Sequence, residues 1–562
     1  MEENEGRAAL LHDEQRAHGS DSVCMDWLGH PAHSRQGLGG WKCGLCILVA
    51  AGLVYATFLT VLSNLVIYLV SVLDYSNDAA AKTVTNLSGT AFLSSFIGAL
   101  VSDSYLGRLW ATMAFALLSL LGFTLSSVAV QLIAGGVPET PFFLASLYLM
   151  VIAIGSTFPN MASLGADQLD SSGDKAKYFT LVPITISVSQ VFAVTLMSYL
   201  SDVGLWVWGF WLCTGASGLA LALVMAVART CRQCRASGNP LCRIAQVLVA
   251  SSRNWNRVVP NDSSLLYEVD GEVSAIPGCR KLPHTSFLSS LDKAAVLISA
   301  EQKDPISTWR MCTVTQVEEV KCLVRILPLG MVSTCTAVAG AQLSTLFVEQ
   351  ASAMNTQVTS WLAIPPASLQ LFSVVGAVIT GLILNFGGSN LLSWCLGCGQ
   401  RNDLSQRATP LQIQGMSIVM GIIAMASAAV VEARRLALAW NGDLVLSVLW
   451  LIPQTMFVGA CSMLFGTATA QFYYNEVSDG MRALGAAVIL LFIAGGNYLS
   501  TAMVSLATYL SSLGGHSSWI AGDLDEGHLD YFYWCLAAFL TFILGLYLIY
   551  AHFYTYREVQ SS

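Results

Sequence analysis

Charge is what this sequence has least of. Only 11% of its 562 residues are Asp, Glu, Lys or Arg, against roughly 25% in a soluble domain. Hydrophobic residues make up 54% and the mean hydropathy is +0.60. Such a chain is excluded from the soluble globular class and reads as an all-α membrane protein of many spans. The first 28 residues lack the basic start and apolar middle of a cleaved secretion signal, so they read as a soluble tail. No metal cluster, nucleophile triad or paired carboxylates fall at the bilayer, so neither an enzyme nor a cofactor nor a metal is expected. The 15 Cys are not scarce but scattered, with CxxC pairs at Cys43/Cys46, Cys231/Cys234 and Cys395/Cys398. The first and last have no second pair at zinc-site spacing. Cys231, Cys234 and Cys242 could bind metal or be acylated beside the membrane; chance spacing is the reading preferred here.

What is present is a run of apolar segments, each long enough to cross a bilayer, for which about 20 residues are needed. In the first half they lie near 44–73, 84–102, 109–132, 142–160, 179–200 and 205–228; in the second half near 323–348, 364–384, 411–431, 447–468, 482–510 and 530–553. One polar interval, 229–322, divides the two sets and holds 12 of the 27 Lys and Arg residues. It cannot sit in hydrocarbon and is expected to be a loop in water. The organisation expected is a tail (1–43), a six-helix bundle (44–228), a linker (229–322), a second six-helix bundle (323–553) and a short tail (554–562). Placing the first tail in the cytoplasm leaves 24 basic residues on that side and 3 (Lys82, Arg434 and Arg435) on the other. The positive-inside rule then puts both termini and the linker in the cytoplasm. The many glycines inside the spans read as helix-packing positions.

Two six-helix bundles with a cytoplasmic linker resemble the major facilitator fold. Asp103, Gly107 and Arg108, in the run Gly98–Arg108 (GALVSDSYLGR), match that superfamily's acidic residue and Gly-Arg between spans two and three. The resemblance implies a conformational latch there; the alternative is charges snorkelling to water. Longer motifs are more specific: LGADQLD at Leu164–Asp170, DKAA at Asp292–Ala295, TVTQVEEVKCLVRILPL at Thr313–Leu329, IPPASLQLF at Ile364–Phe372, NYLS at Asn497–Ser500 and GHLDYFYW at Gly527–Trp534. Together they closely resemble the plant nitrate and peptide transporter family, within the proton-coupled oligopeptide transporters. That resemblance implies proton-driven movement of nitrate, small peptides, hormones or defence metabolites across the plasma membrane, preferred here, or the vacuolar membrane.

The chain departs from the family at its chemical core. Most members carry ExxER in the first span; the matching residues here are Ala51, Gly52, Leu53, Val54 and Tyr55. Phe158 stands where many have Lys before a proline, and Gln471 where a Glu usually precedes aromatic residues. The usual Asn-Trp-Phe-Tyr stretch of the fifth span reads Thr180, Leu181, Val182, Pro183. No ionisable acid, base or His lies deep in any expected span; Asp103, Arg325, Glu349 and His552 fall near span ends. An intramembrane charge marks a proton relay by default, so transport nearly independent of the proton gradient is expected. Polar candidates to line a solute path are Asn64, Tyr68, Thr90, Gln190, Gln342, Gln471 and Asn497, each with helix packing as the plainer alternative. Glu318 and Glu319 read as a helix start favouring the positive end of the dipole. The expected partners are a small-molecule solute and the lipid bilayer, with no nucleic acid. The function expected is a transporter; the rival is a sensor or scaffold that keeps the fold without turnover.

Overall fold

In hydrocarbon every backbone polar group must be paired within its own segment, so apolar runs of this length fold as helices. The computed structural model describes residues 24–25, 39–137, 139–169, 172–234, 240–260, 262, 265–269, 281–297, 307–359, 362–384, 409–441, 445–476, 482–513 and 518–554. The first bundle comprises α1 (Trp41–Ser71), α2 (Asn77–Val101), α3 (Arg108–Ala134), α4 (Thr140–Asp167), α5 (Ser172–Asp202) and α6 (Trp206–Ala228). The linker contains α7 (Pro240–Arg253). The second bundle comprises α8 (Val314–Ala341), α9 (Leu346–Ser352), α10 (Gln370–Leu382), α11 (Pro410–Asn441), α12 (Ile452–Glu476), α13 (Arg482–Ser512) and α14 (Leu529–Phe553). A 3-10 turn at Gln342–Ser344 joins α8 and α9 into one interrupted span. Among the described residues 11 helices are long and apolar enough to cross a membrane, and the shorter apolar helix Pro366–Leu382 stands where another span is expected. The Cys395/Cys398 pair lies outside the described residues.

Each bundle closes around its own apolar core. In the first, Tyr68 packs with Phe143, Trp206 and Phe210, the ring centroids 5.0–6.0 Å apart. In the second, Phe347 meets Tyr533 edge-on at 5.6 Å. The bundles touch mainly where α2 lies along α13; α5 also packs on α10, and α9 on α1 and α2. The end that carries the linker is called the linker side below, and the opposite end the far side.

The described part of the linker is folded, which corrects the expectation of a plain loop. One face of α7 buries Val247 and Ala250 against Ala294, Ala295, Cys312, Val317 and Val320. The seventh span also starts earlier than expected, at Val314. Thr313 caps it: its hydroxyl accepts from the Gln316 N–H, while the Gln316 side chain accepts from the Thr313 N–H. Cys24–Met25 pairs antiparallel with Gln233–Cys234, tying the first tail to the start of the linker.

Candidate functional site

Two of the positions singled out in the sequence, Tyr55 and Phe158, meet as an aromatic wall. Ala51 and Val54 are buried on α1. Tyr55, one residue further, rests against Phe158 of α4 with ring centroids 5.2 Å apart, and Phe58 flanks it at 6.4 Å. Pro159 sits inside α4 directly after Phe158. Gln190 is half-buried on α5 and Gln471 is exposed on α12.

The far-side half of the seam between the bundles is closed by short polar contacts. Asn77 at the start of α2 donates to the carbonyls of Ala521 and Gly522, at 3.1 and 3.2 Å. The hydroxyls of Thr85 and Thr501 share a hydrogen bond of 2.6 Å, and Thr501 donates to Asn86 Oδ1 at 2.9 Å. The Thr90 hydroxyl meets the Tyr498 hydroxyl at 3.0 Å. Gly89 makes room for that ring; a Cβ there would sit 3.1 Å from it. Tyr498 thus crosses to the other bundle.

Of the other candidates, four lie inside the bundles. Asn64 donates to Ser63 Oγ at 3.0 Å and accepts from Ser201 at 3.1 Å. Tyr68 belongs to the aromatic core of the first bundle. Gln342 donates to Ser500 Oγ at 3.0 Å, and Asn497 to the Ile493 carbonyl at 3.0 Å. All four are buried; Asn64, Gln342 and Asn497 hydrogen-bond to a neighbouring turn or helix, and Tyr68 packs against aromatic rings.

At the linker side, Arg108 reaches Asp167 at 2.6 Å, joining the start of α3 to the end of α4. Gly107 turns the chain between the preceding π turn and α3 at φ 74°, a backbone conformation that favours glycine. The Asp103 side chain lies outside the described residues. Asp167, part of the LGADQLD run, was not among the sequence candidates, although its carboxylate ends a span on the same side as Arg108.

Buried charge lies near the far-side ends of two spans of the second bundle. Helix α11 continues to Asn441, so Glu432 and Arg435 lie within it rather than in a far-side loop. They are 0% and 3% exposed. Arg435 holds both Glu432 oxygens, at 2.8 and 3.1 Å, the Leu524 carbonyl at 3.0 Å, and Asp525. Glu349, near the end of its span as expected, is 5% exposed on α9. The physical reason is helix length: a run that outlasts the apolar stretch carries its polar last turns into the protein.

A model of the family described as "POT family" matches residues 109–520. The chain belongs to the POT family. It is 34% identical to the Arabidopsis thaliana protein named "Protein NRT1/ PTR FAMILY 7.1", an alignment covering 92% of this chain and 85% of that one. With "Protein NRT1/ PTR FAMILY 8.3" of the same plant, identity is 33% over 98% and 97%. Among solved structures, an auto-inhibited POT family peptide transporter superposes with TM-score 0.70 at 15% identity, covering 93% of this chain and 99% of that one. A POT family transporter in complex with 5-aminolevulinic acid gives TM-score 0.62 at 11% identity, over 94% and 99%. The major facilitator architecture expected from the sequence is thereby shown, as is membership of a transporter family.

In this POT-family chain the DKAA and TVTQVEEVK motifs form the linker's anchor. Lys321, 2% exposed, reaches Asp292 at 2.7 Å and Glu318 at 2.8 Å, and donates to the Thr285 carbonyl at 2.7 Å. Glu318 also accepts from the N–H and hydroxyl of Thr285. Glu318 therefore lies a turn inside α8 and binds the linker, which corrects its reading as a helix start. His284, Asp292 and Glu318 are close enough to hold a metal ion, but the Lys321 ammonium already supplies the cation there. Cys43 and Cys231 belong to different CxxC pairs and are both buried, with sulfurs 2.8 Å apart. The hydrogen bond with Cys43, and then burial, push the Cys231 thiol well above the usual range, which suits a structural thiol contact better than a reactive one.

Proposed function

We propose that this protein moves a neutral or weakly charged small molecule across a membrane by alternating access, with its termini and linker in the cytoplasm. Membership of the POT family supports transport, and the two-bundle fold supports rocking about a central site. The observation that carries the choice of solute is the Tyr55–Phe158 contact. Where relatives place carboxylates and cations, this wall offers two ring faces and a hydroxyl. An anion such as nitrate, or a peptide carboxylate, entering there meets no cation at these positions, and desolvating an unpaired charge is costly. A solute with apolar rings and a few hydroxyls finds matching surface. Thr90, Tyr498, Gln190 and Gln471 are the polar side chains proposed to meet it, since they keep some exposure. Asn64, Tyr68, Gln342 and Asn497 are assigned to holding the helices around it.

Closure of the far side by Asn77, Thr85, Thr90, Tyr498 and Thr501 supports reading this conformation as inward-facing. The Arg108–Asp167 pair is proposed to latch the linker-side helix ends in one of the two states. Uptake of a solute panel by oocytes or sealed vesicles tests the reading. Saturable uptake of a neutral solute, altered in Arg108→Ala at equal surface expression, supports it. Surface-expressed protein that moves nothing in a broad panel points to a sensor or scaffold instead.

A further inference from the structure

Two CxxC runs that lie far apart in the sequence meet at the linker-side end of the first bundle. Cys43 is the third residue of α1, and Cys231 follows the end of α6 by three residues. Both are buried, and their sulfurs stand 2.8 Å apart although 188 residues separate them in the chain. Cys46, one turn further along α1, is half-buried. The backbone register of the short antiparallel pair sets Cys24 of the tail opposite Cys234. Cys24, Cys43, Cys46, Cys231 and Cys234, five of the chain's 15 cysteines, thus gather at one end of the fold.

The tail, the end of α4 and the start of the linker meet beside the sulfur pair. The Gly39 N–H donates to the Thr230 carbonyl at 2.7 Å, and the Gly40 N–H to the Gln168 carbonyl at 2.8 Å. The buried Gln168 side chain clasps the Arg232 backbone: Oε1 accepts from its N–H at 2.8 Å, and Nε2 donates to its carbonyl at 3.1 Å. Gly39, at φ 78°, passes so close that a Cβ would lie 2.9 Å from the Gln168 carbonyl oxygen. Two chemistries suit a group of cysteines. A structural zinc ion holds its thiolates at about 2.3 Å, which sets them about 3.8 Å from one another; the Cys43 and Cys231 sulfurs are closer. Among the described residues, Cys43, Cys46 and Cys231 do not come near enough together to share an ion. Two sulfurs in contact, with no third beside them, fit a dithiol that closes to a disulfide.

We propose that Cys43 and Cys231 are an oxidant-responsive pair, closed by a peroxide into a disulfide that clamps the start of α1 to the start of the linker. Hydrogen peroxide is uncharged and little larger than water, so it reaches buried thiols when the junction opens locally. Cys43, in the first turn of α1 where the helix dipole favours negative charge, takes the oxygen. Its S–H gives up the proton, an S–O bond forms, the O–O bond breaks and one water leaves. The Cys231 sulfur then attacks the sulfenic sulfur. An S–S bond forms, the S–O bond breaks, and the departing hydroxide leaves as water with the Cys231 proton. The two sulfurs together lose two electrons, and one peroxide becomes two waters. Contact between the sulfurs closes the sulfenic acid to a disulfide before it climbs further up the oxidation ladder. Cys231 need not be a strong nucleophile, because its target is already beside it. The linker side is proposed above to face the cytoplasm, where thiols are kept reduced; the bond is then transient and is reopened by a dithiol reductant. While closed, it keeps Thr230 and Arg232 on the tail and on Gln168. The bond forms without any solute, so it stands apart from the transporter reading.

The test uses the purified full chain in lipid nanodiscs, first reduced and freed of reductant, then titrated with hydrogen peroxide. Remaining thiols are capped with N-ethylmaleimide, and the digest is mapped by mass spectrometry without reduction. The first linked peptide to accumulate is expected to join Cys43 to Cys231, and dithiothreitol to reverse it. In the oxidised sample, hydrogen exchange in peptides covering 39–47 and 228–234 is expected to slow several-fold relative to the reduced protein, because the clamped junction opens less often. Cys46→Ser keeps both the link and the slowing, whereas Cys231→Ser loses both. Cys43→Ala also loses both, and its exchange without peroxide matches that of the reduced wild type, which guards against a variant that merely misfolds. A first link between other cysteines, such as Cys24 with Cys234, overturns the proposal. So do oxidation that stops at sulfinic acid on unlinked thiols, zinc bound stoichiometrically by the reduced protein, and a Cys43–Cys231 link that leaves exchange unchanged. Each of these results leaves the transporter reading standing.

Discussion

The ring of Tyr55 lies 5.2 Å from the ring of Phe158, joining the first and fourth spans of this chain through an apolar contact. A tilted aromatic pair contributes about 0.5–1.5 kcal/mol beyond the area it buries. Phe158→Leu removes it while keeping the site apolar. The expected outcome is a several-fold rise in KM for the transported solute, with surface expression maintained. Tyr55→Phe keeps both rings and is expected to leave uptake of an apolar solute unchanged; a matching loss in Tyr55→Phe shifts the weight from the ring to the hydroxyl.

Lys321 is the cation between two buried carboxylates, Asp292 of the linker and Glu318 of α8. Removing one partner of a buried ion pair leaves uncompensated charge and costs roughly 3–5 kcal/mol. Lys321→Met is therefore expected to lower the melting temperature of the purified protein and loosen the linker. Size-exclusion chromatography after a heat ramp measures the first, and proteolysis within the linker the second. An unchanged melting profile with an intact linker contradicts the anchoring role.

The Arg108–Asp167 pair is short, but its side chains keep 29% and 18% of their exposure. Water weakens such a pair to about 1 kcal/mol or less. Arg108→Ala and Asp167→Asn are accordingly expected to change uptake a few-fold, not to abolish it, with normal membrane insertion. Uptake normalised to surface protein decides this; unaltered rates in both variants mean that the charges only face water.

Thr501 bridges the bundles through Thr85 and Asn86. Thr501→Val keeps the shape and deletes the hydroxyl. The seam is then weaker by about 0.5–1.5 kcal/mol. Faster hydrogen exchange near the start of α2, at fixed pH, is the expected reading; exchange equal to wild type means the apolar contacts close the seam unaided.

The spans were legible because hydropathy and length decide them, and POT-family membership because the long motifs are specific. The site was less legible. Ala51, Val54 and Phe158 could be read as lost charges, but only packing reveals that Tyr55 and Phe158 meet. Asn64 and Tyr68 read as candidates to line a solute path, yet their neighbours on α5, α4 and α6 enclose them; a one-dimensional pattern does not tell a lining face from a packed one. Arg435, with its helix neighbour Glu432, falls beyond the span expected at 411–431, because charge argues against hydrocarbon. The pairing that makes their burial possible joins α11 to a loop some ninety residues later, as the Arg435–Asp525 separation of 90 shows. The linker's core was hidden for a similar reason, since Val247, Ala294 and Val317 are scattered among charges and converge only on folding.

The central claim is a transporter whose charge-free centre takes a neutral solute. The most direct measurement is uptake by oocytes expressing the full chain, comparing nitrate, a dipeptide and a panel of neutral ring-bearing solutes at one acidic pH. The account predicts saturable uptake of at least one neutral solute, with nitrate and the dipeptide at the level of uninjected cells. Saturable nitrate or dipeptide uptake, or no uptake of any solute by protein shown to be at the surface, contradicts it.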